Sequence, residues 1–96
     1  MKTGIEIIEE ERKRQIEVEG WTSDNDDRYL DEQLAEAAAS YVLPNLWRKS
    51  PDRIPITWPF HNRWWKPTPE NRIKELAKAG ALIAAEIDRI QRMKNK

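Results

Sequence analysis

The sequence has no cysteine, only three glycines, one phenylalanine and one histidine, and no long hydrophobic run. Without cysteine the chain can form neither a disulfide nor a thiolate zinc site, and a reducing compartment suits it. Its first residues contain few apolar side chains before an acidic run, which predicts that no signal peptide is present. No stretch is long and apolar enough to predict a membrane span. We therefore expect a soluble, intracellular protein.

The 96 residues predict one domain, since a chain this short has room for a single core. Charged residues make up 35% of it, yet the net charge is zero and the charges are unevenly spread. Residues 1–43 carry twelve acidic and five basic side chains, whereas residues 44–96 are net basic. Either the two halves face each other in the fold, or the asymmetry serves head-to-tail self-association or an anionic partner.

Three helices are predicted, over residues 4–19, 27–43 and 69–93. The first begins with a capping box, in which the Thr3 hydroxyl serves the amide of Glu6 and the Glu6 carboxylate reaches back. Gly20 follows it at a position where a left-handed residue ends a helix. Trp21, next in the chain, is then expected to pack on the end of this helix as a structural residue.

The second and third predicted helices carry small residues on their apolar sides. The second has an alanine-rich face and stops before Pro44. The third opens with Thr68 as its N-cap and Pro69 as its first helical residue. Apolar residues then recur every three or four positions and form one seam: Ile73, Leu76, Gly80, Ile83, Ile87 and Ile90. We expect the third helix to pack along the second through small residues.

The predicted fold is therefore an all-α, three-helix domain spanning residues 1–96, with a long Trp/Pro-rich crossover between helices 2 and 3. This crossover, residues 44–68, contains five of the six prolines and four of the five tryptophans. A long irregular segment inside a compact domain is uncommon and often functional.

The crossover also holds the main candidate for a binding site. Its ligand-binding residues are predicted to be Trp58, Arg63, Trp64, Trp65 and Lys66. Aromatic rings that stack on a base, next to cations that hold phosphate, are how proteins take nucleotides or single strands. In the alternative interpretation the tryptophans bury themselves on the alanine-rich helices while the charges extend into water. Sequence-specific binding of duplex DNA is not expected, because no helix is basic on one face.

A carboxylate site on two helices is the second candidate. All-α nucleoside triphosphate pyrophosphatases hold magnesium with acidic residues from two facing helices, and Glu32, Glu36, Glu86 and Asp88 are the candidates here. Their spacing fits neither Glu-Glu-x-x-Glu nor Glu-x-x-Asp, so solvated helix faces explain them better. The lone His61 is expected to pack or hydrogen-bond. The acidic residues 22–27 lack the glycine and glutamate of a calcium loop. No catalytic residue, metal site or cofactor is predicted.

Several stretches taken together resemble a family of small proteins encoded by bacteriophages and prophages. They are Glu11-Arg-Lys-Arg-Gln15, Glu19-Gly-Trp-Thr22 with Asp26-Asp27, Leu34-Ala with Ala37-Ala38 and Tyr41, Trp58-Pro-Phe60, Trp64-Trp-Lys-Pro67, and Leu76-Ala-Lys-Ala-Gly-Ala-Leu82 running into Ala85-Glu-Ile-Asp-Arg89. The likeness spans about residues 9–92. Residues 12–27 are also similar to the ryanodine-receptor repeat domain, whose helix likewise runs into Gly-Trp.

The resemblance to phage proteins implies a non-enzymatic accessory protein in the cytoplasm of a bacterial host cell. Such a protein would bind a host component, either a host protein, such as one of defence, or a nucleotide-like anion. Two alternatives from other classes are a magnesium-dependent nucleotide pyrophosphohydrolase-like enzyme and a self-assembling structural module. A homodimer is expected on physical grounds, because small domains with thin cores often complete their burial by association.

Overall fold

The computed structural model describes residues 1–48 and 54–95, and this part of the chain is all-α, with no strand. It contains helices α1 (Gly4–Glu17), α2 (Ser23–Asp26), α3 (Gln33–Val42) and α4 (Arg72–Lys94). Two 3-10 turns, Asn45–Arg48 and Asn62–Trp64, lie between α3 and α4. The predicted helical class is confirmed, but the described residues form four helices instead of three. None of these helices has the length and apolar character needed to cross a membrane.

Helix α1 begins as the sequence predicts. The Thr3 hydroxyl accepts a hydrogen bond from the Glu6 amide at 3.2 Å, and the Glu6 carboxylate accepts one from the Thr3 amide at 2.9 Å. The bond from the Thr3 amide is the main cause that favours the charged carboxylate and lowers the pKa of Glu6, and the Thr3 side chain adds to it. The helix ends at Glu17, earlier than predicted, and Gly20 takes the expected left-handed conformation with φ of 75°. The amide of Trp21 then donates to the carbonyl of Gln15 at 3.0 Å.

The predicted second helix, residues 27–43, is wrong at its start. Residues 23–26 form the separate short helix α2, whose first turn is capped by the Thr22 hydroxyl. Helix α3 begins only at Gln33, because Glu32 has a φ of 63°. A left-handed residue cannot continue a right-handed helix. The Gln33 side chain accepts a hydrogen bond from the Asp31 amide at 2.9 Å, which ties the turn to the new helix.

The predicted start of the last helix is also wrong. Asn71, not Thr68, is the N-cap of α4, and its side chain accepts a hydrogen bond from the Lys74 amide at 3.2 Å. The Thr68 amide instead donates to the buried carboxylate of Glu75 at 3.0 Å. This contact holds the chain in a turn before the helix begins, so Pro69 lies outside α4.

Helix α4 is the element on which the others pack, since α1, α2 and α3 all contact it. The core is small and rich in alanine. It consists of Leu34, Ala37, Ala38, Tyr41, Trp65, Ala79, Leu82 and Ala85. Because the facing residues of α3 and α4 are mostly alanine, the two helices can approach closely, which confirms the predicted packing through small residues.

The apolar seam of α4 faces mostly outward. Ile73, Leu76, Ile83 and Ile87 are 65%, 45%, 46% and 53% exposed. The middle of the seam is covered by the Ile8 side chain of α1, which lies over Gly80, and Ile90 near its end is half-buried. The buried side of α4 instead consists mainly of alanines and charged residues. Among them are Ala79, Ala85, Glu75, Glu86 and Arg89, together with Leu82.

Buried ion pairs make this charged side of α4 possible. The Glu75 carboxylate, fully buried, binds Arg48 at 3.0 Å and Arg72 at 3.1 Å. Arg72 in turn donates to the carbonyl of Tyr41 at 2.8 Å, at the end of α3. Glu75 therefore joins the end of α3, the 3-10 turn after it and the start of α4. Residues 49–53 of the predicted crossover lie outside the described part of the chain.

Candidate ligand-binding pocket

Trp58 lies at the centre of a cluster of aromatic rings. Its ring centroid is 5.5 Å from those of Tyr41 and Phe60 and 5.1 Å from that of Trp65, with the rings edge to face. Tyr41 and Trp65 stack at 4.8 Å. Such pairs stabilise a fold by more than the area they bury. Trp65 is only 8% exposed and belongs to the core.

Trp64 is turned the other way from its neighbour Trp65 and is 54% exposed. The 3-10 turn that carries it is capped by His61, whose Nδ1 accepts a hydrogen bond from the Arg63 amide at 3.1 Å. The Trp58 indole donates to the His61 carbonyl at 3.2 Å, which fastens the turn to the aromatic cluster. His61 thus has the hydrogen-bonding role expected for it.

Two cations lie near the exposed ring of Trp64. The guanidinium of Arg63 is 5.5 Å from the ring centroid, and the ammonium of Lys66 is 5.9 Å from it. Both distances are within the range of cation–π attraction. Trp64 therefore presents an aromatic surface bordered by positive charge.

A cleft of about 400 Å³ opens beside this turn, where the end of α1 meets α3 and α4. Its lining consists of Glu11, Arg14, Gln15, Val18, Glu19, Trp21, Tyr41, Trp58, Trp64, Lys66, Lys78 and Leu82. The volume is typical of small-molecule sites, and so is the combination of aromatic walls with a few charged groups.

Lys78 is the cation set deepest in the cleft. Its ammonium donates to the Lys66 carbonyl at 3.0 Å and lies 5.3 Å from the Tyr41 ring centroid. Burial lowers the pKa of Lys78, and the nearby positive charge of Lys74 lowers it further. The Lys66 amide donates to the Tyr41 hydroxyl at 3.3 Å, so the two lysines and the tyrosine form one connected group.

The two carboxylates of the cleft, those of Glu11 and Glu19, are both paired with Arg14. Arg14 binds both oxygens of Glu11 at 2.7 Å and also lies 3.5 Å from Glu19. The hydrogen bond to Glu11 raises the pKa of Arg14. Within residues 1–48 and 54–95, by contrast, no carboxylate lies within 4.0 Å of Lys66 or Lys78. Their charges are available to an anion from outside.

Three of the five predicted site residues, Trp58, Trp64 and Lys66, line this cleft. Arg63 lies beside the Trp64 ring, and Trp65 is packed behind the cleft in the core. The sequence analysis missed Lys78, although one signal pointed to it. Lys78 is the only charged residue among residues 76–85, which are otherwise small or apolar, so it places a charge on an otherwise apolar part of the helix.

The carboxylates of the enzyme alternative are not gathered into a site. Glu86 is buried and binds Arg89 through both oxygens, at 2.6 and 3.1 Å. Glu32 occupies the left-handed turn before α3. In the described part of the chain, no three His, Asp or Glu side chains form a group that could hold a metal ion. This arrangement gives no support to magnesium binding by Glu32, Glu36, Glu86 and Asp88.

Three kinds of comparison with known proteins gave the same result. No protein-family model matches the chain, and no curated protein or solved structure matches it significantly. The likeness to small phage proteins therefore stays a prediction from the sequence, and the function has to be inferred from the geometry of the cleft.

Proposed function

We propose that this protein is a non-enzymatic accessory protein of bacteriophage origin that binds a nucleotide-like anion of its bacterial host. The observation that carries the proposal is the pairing, in one cleft, of exposed aromatic surface with cations that pair with no carboxylate of the described residues. Trp64 supplies the surface, and Lys66 and Lys78 supply the charge. The likeness to phage proteins supports the accessory role in the host cytoplasm.

A nucleotide has an aromatic base and a charged phosphate, and the cleft offers an aromatic ring to the first and cations to the second. A base can stack on an indole ring whatever its identity, which contributes about 1–3 kcal/mol per base. A phosphate group needs positive charge, and attraction to a partly buried ammonium is less screened by water than attraction to an exposed one. Because burial disfavours the charged form of Lys78, an anion that enters the cleft would stabilise that form.

Binding can be measured by isothermal titration with ATP, with adenosine and pyrophosphate as probes of the separate halves. We expect ATP to bind more tightly than either half. Trp64→Ala and Arg63→Glu should each weaken binding by about tenfold or more, as expected for the loss of a stacked base or of a favourable charge. The circular dichroism of both variants should stay helical, since both side chains are exposed.

Matched controls exist outside the cleft. Trp47 is also an exposed tryptophan on a 3-10 turn, and Arg28 is an exposed arginine on another surface. Trp47→Ala and Arg28→Glu should leave the affinity for ATP unchanged. The proposal is wrong if the native protein binds no nucleoside phosphate, or if the cleft variants and the control variants bind equally well.

A host protein is the second candidate partner, and one observation favours it. Leu46 and Trp47 are neighbouring large apolar side chains that both lie on the surface. Exposed tryptophan is typical of residues that dominate protein interfaces. Affinity capture from host lysate should then fail with Trp47→Ala and succeed with Trp64→Ala, which is the reverse of the result expected for the cleft.

A further inference from the structure

The outward face of α4 is the second unusual surface of the molecule. We call Ile73, Leu76, Ile83 and Ile87 the α4 face. All four are large aliphatic side chains that are about half exposed, and their spacing of three, seven and four residues puts them on one side of the helix. Single exposed aliphatic residues are common on protein surfaces, whereas a row of them marks an interaction surface.

The spacing of this face is that of a helix which packs on another helix. With Gly80 and Ile90, the seam alternates steps of three and four residues, as the a and d positions of a heptad repeat do. Ala84, next to Ile83, is half-buried at the edge of the seam, whereas Ala77 and Ala79 are buried against the rest of the fold.

The rest of the fold leaves this face only partly covered. Ile8 of α1 occupies the space over Gly80, where a Cβ atom would lie 2.6 Å from its Cδ1. Among the described residues, Leu34 and Leu82 are the only fully buried aliphatic core residues larger than alanine. Most of the large aliphatic residues of α4 are thus on the outside.

The accessible surface also indicates missing burial. It measures 6647 Å² for a chain of 11.4 kDa. A folded monomer of that mass has about 5,800 Å², so this chain exposes about 850 Å² more over its whole surface. Each partner in a stable protein complex loses about 800 Å². The excess is comparable in size with one side of an ordinary interface, and the half-exposed residues of the α4 face contribute to it.

We propose that two copies of this chain associate through the α4 face, related by a two-fold axis that passes close to Ile83. The face is self-complementary, because the same repeat supplies both the protruding side chains and the spaces between them. None of its four positions carries a charge, so a second copy with the same face can pack on it without charge repulsion. Association leaves the ligand cleft open, since Lys78 and Leu82 lie on another side of the helix.

The first measurement is the mass in solution, by sedimentation equilibrium over a wide range of protein concentration. We expect the wild-type chain to reach twice its mass of 11.4 kDa. Ile83→Glu and Ile87→Glu should each stay monomeric and helical. Leu30→Glu is the matched control, since Leu30 is an exposed aliphatic residue outside α4, and this variant should still form the dimer.

A second measurement keeps the test decisive if the glutamate variants do not fold. The chain has no cysteine, so Ile83→Cys introduces a unique thiol at the centre of the face. A short bismaleimide should join two copies of this variant, while Leu30→Cys should stay unlinked at the same concentration. The proposal is overturned if the wild type is monomeric throughout, or if Ile83→Cys and Leu30→Cys are cross-linked to the same small extent.

Discussion

Arg48 and Glu75 lie 27 positions apart in the chain, yet their side chains meet at 3.0 Å in the interior. Among the described residues, the Nε and Nη1 atoms of Arg48 have no hydrogen-bond partner. The guanidinium, which also lies 5.4 Å from the Trp65 ring centroid, is consequently compensated chiefly by this one carboxylate. The pair fixes the end of the first 3-10 turn against α4.

Replacing Glu75 with alanine should destabilise the protein by about 3–5 kcal/mol, because a buried arginine is left without its counter-charge. Urea denaturation monitored by circular dichroism measures the change. Glu9→Ala is the control, since Glu9 and Lys13 form an exposed pair at 3.8 Å whose contribution is about 0.5 kcal/mol or less. Equal effects of the two substitutions would show that burial of Glu75 is less complete than the structure has it.

The neighbours Trp64 and Trp65 should respond to truncation in opposite ways. Trp65→Ala removes a ring that stacks on Tyr41 and should reduce the free energy of unfolding by about 3–5 kcal/mol. Trp64→Ala removes an exposed ring and should change it by about 0.5 kcal/mol. Urea denaturation of both variants, followed by circular dichroism, tests this pair. A large loss of stability in Trp64→Ala would place that ring in the core and remove it from the ligand cleft.

Gly80 and Ile8 should show strong coupling in a double-mutant cycle. In Gly80→Ala the new methyl group meets Cδ1, Cγ1 and Cγ2 of Ile8 within 3.2 Å. Overpacking of this kind costs about 1–3 kcal/mol, which exceeds the gain of about 1 kcal/mol in helix propensity.

In the Ile8→Ala background the clash is gone, so there Gly80→Ala should be stabilising. Thermal denaturation of the four proteins gives the coupling free energy. Additive effects would mean that α1 does not cross α4 at Gly80.

Deprotonation of the Tyr41 hydroxyl should make the protein less stable in strong alkali. Burial raises the pKa of its hydroxyl to about 12, from an ordinary value near 10. Between these values the unfolded chain loses the proton and the folded chain keeps it, so the free energy of unfolding falls as the pH rises. The loss attributable to this group is about 2–3 kcal/mol when complete.

The measurement is urea denaturation at a series of pH values from below 10 to above 12. Tyr41→Phe is the matched variant, because it keeps the ring and has no hydroxyl to titrate. The alkaline loss of stability should be smaller in this variant. Parallel curves for the two proteins would contradict the burial of the Tyr41 hydroxyl.

Local signals in the sequence predicted the parts of the fold that depend on local interactions. The capping box at Thr3 and Glu6 and the left-handed Gly20 both rest on neighbours within a few positions, and both are confirmed. Thr68 carries an equally good local signal for an N-cap, but its amide is drawn to the carboxylate of Glu75. That carboxylate is held in place by Arg48, whose position no local pattern could reveal.

The candidate site also combines features that the sequence predicts with features that depend on the rest of the fold. An aromatic and basic segment is visible in the sequence, and three of its predicted residues do line one cleft. Which tryptophan is buried depends on the 3-10 turn at Asn62–Trp64, which sends the rings of Trp64 and Trp65 to different sides. The seam of α4 is equally ambiguous, because periodicity shows that residues share a face but not whether this chain covers it.

The position of α4 in the chain has a consequence for how the protein is made. Helices α1, α2 and α3 all pack on α4, and α4 follows all three in sequence. During synthesis of residues 1–71 these helices lack the surface of α4 on which they dock in the fold. We therefore expect the fold to be completed only after α4 has left the ribosome, with the Trp/Pro-rich crossover open to chaperones and proteases until then.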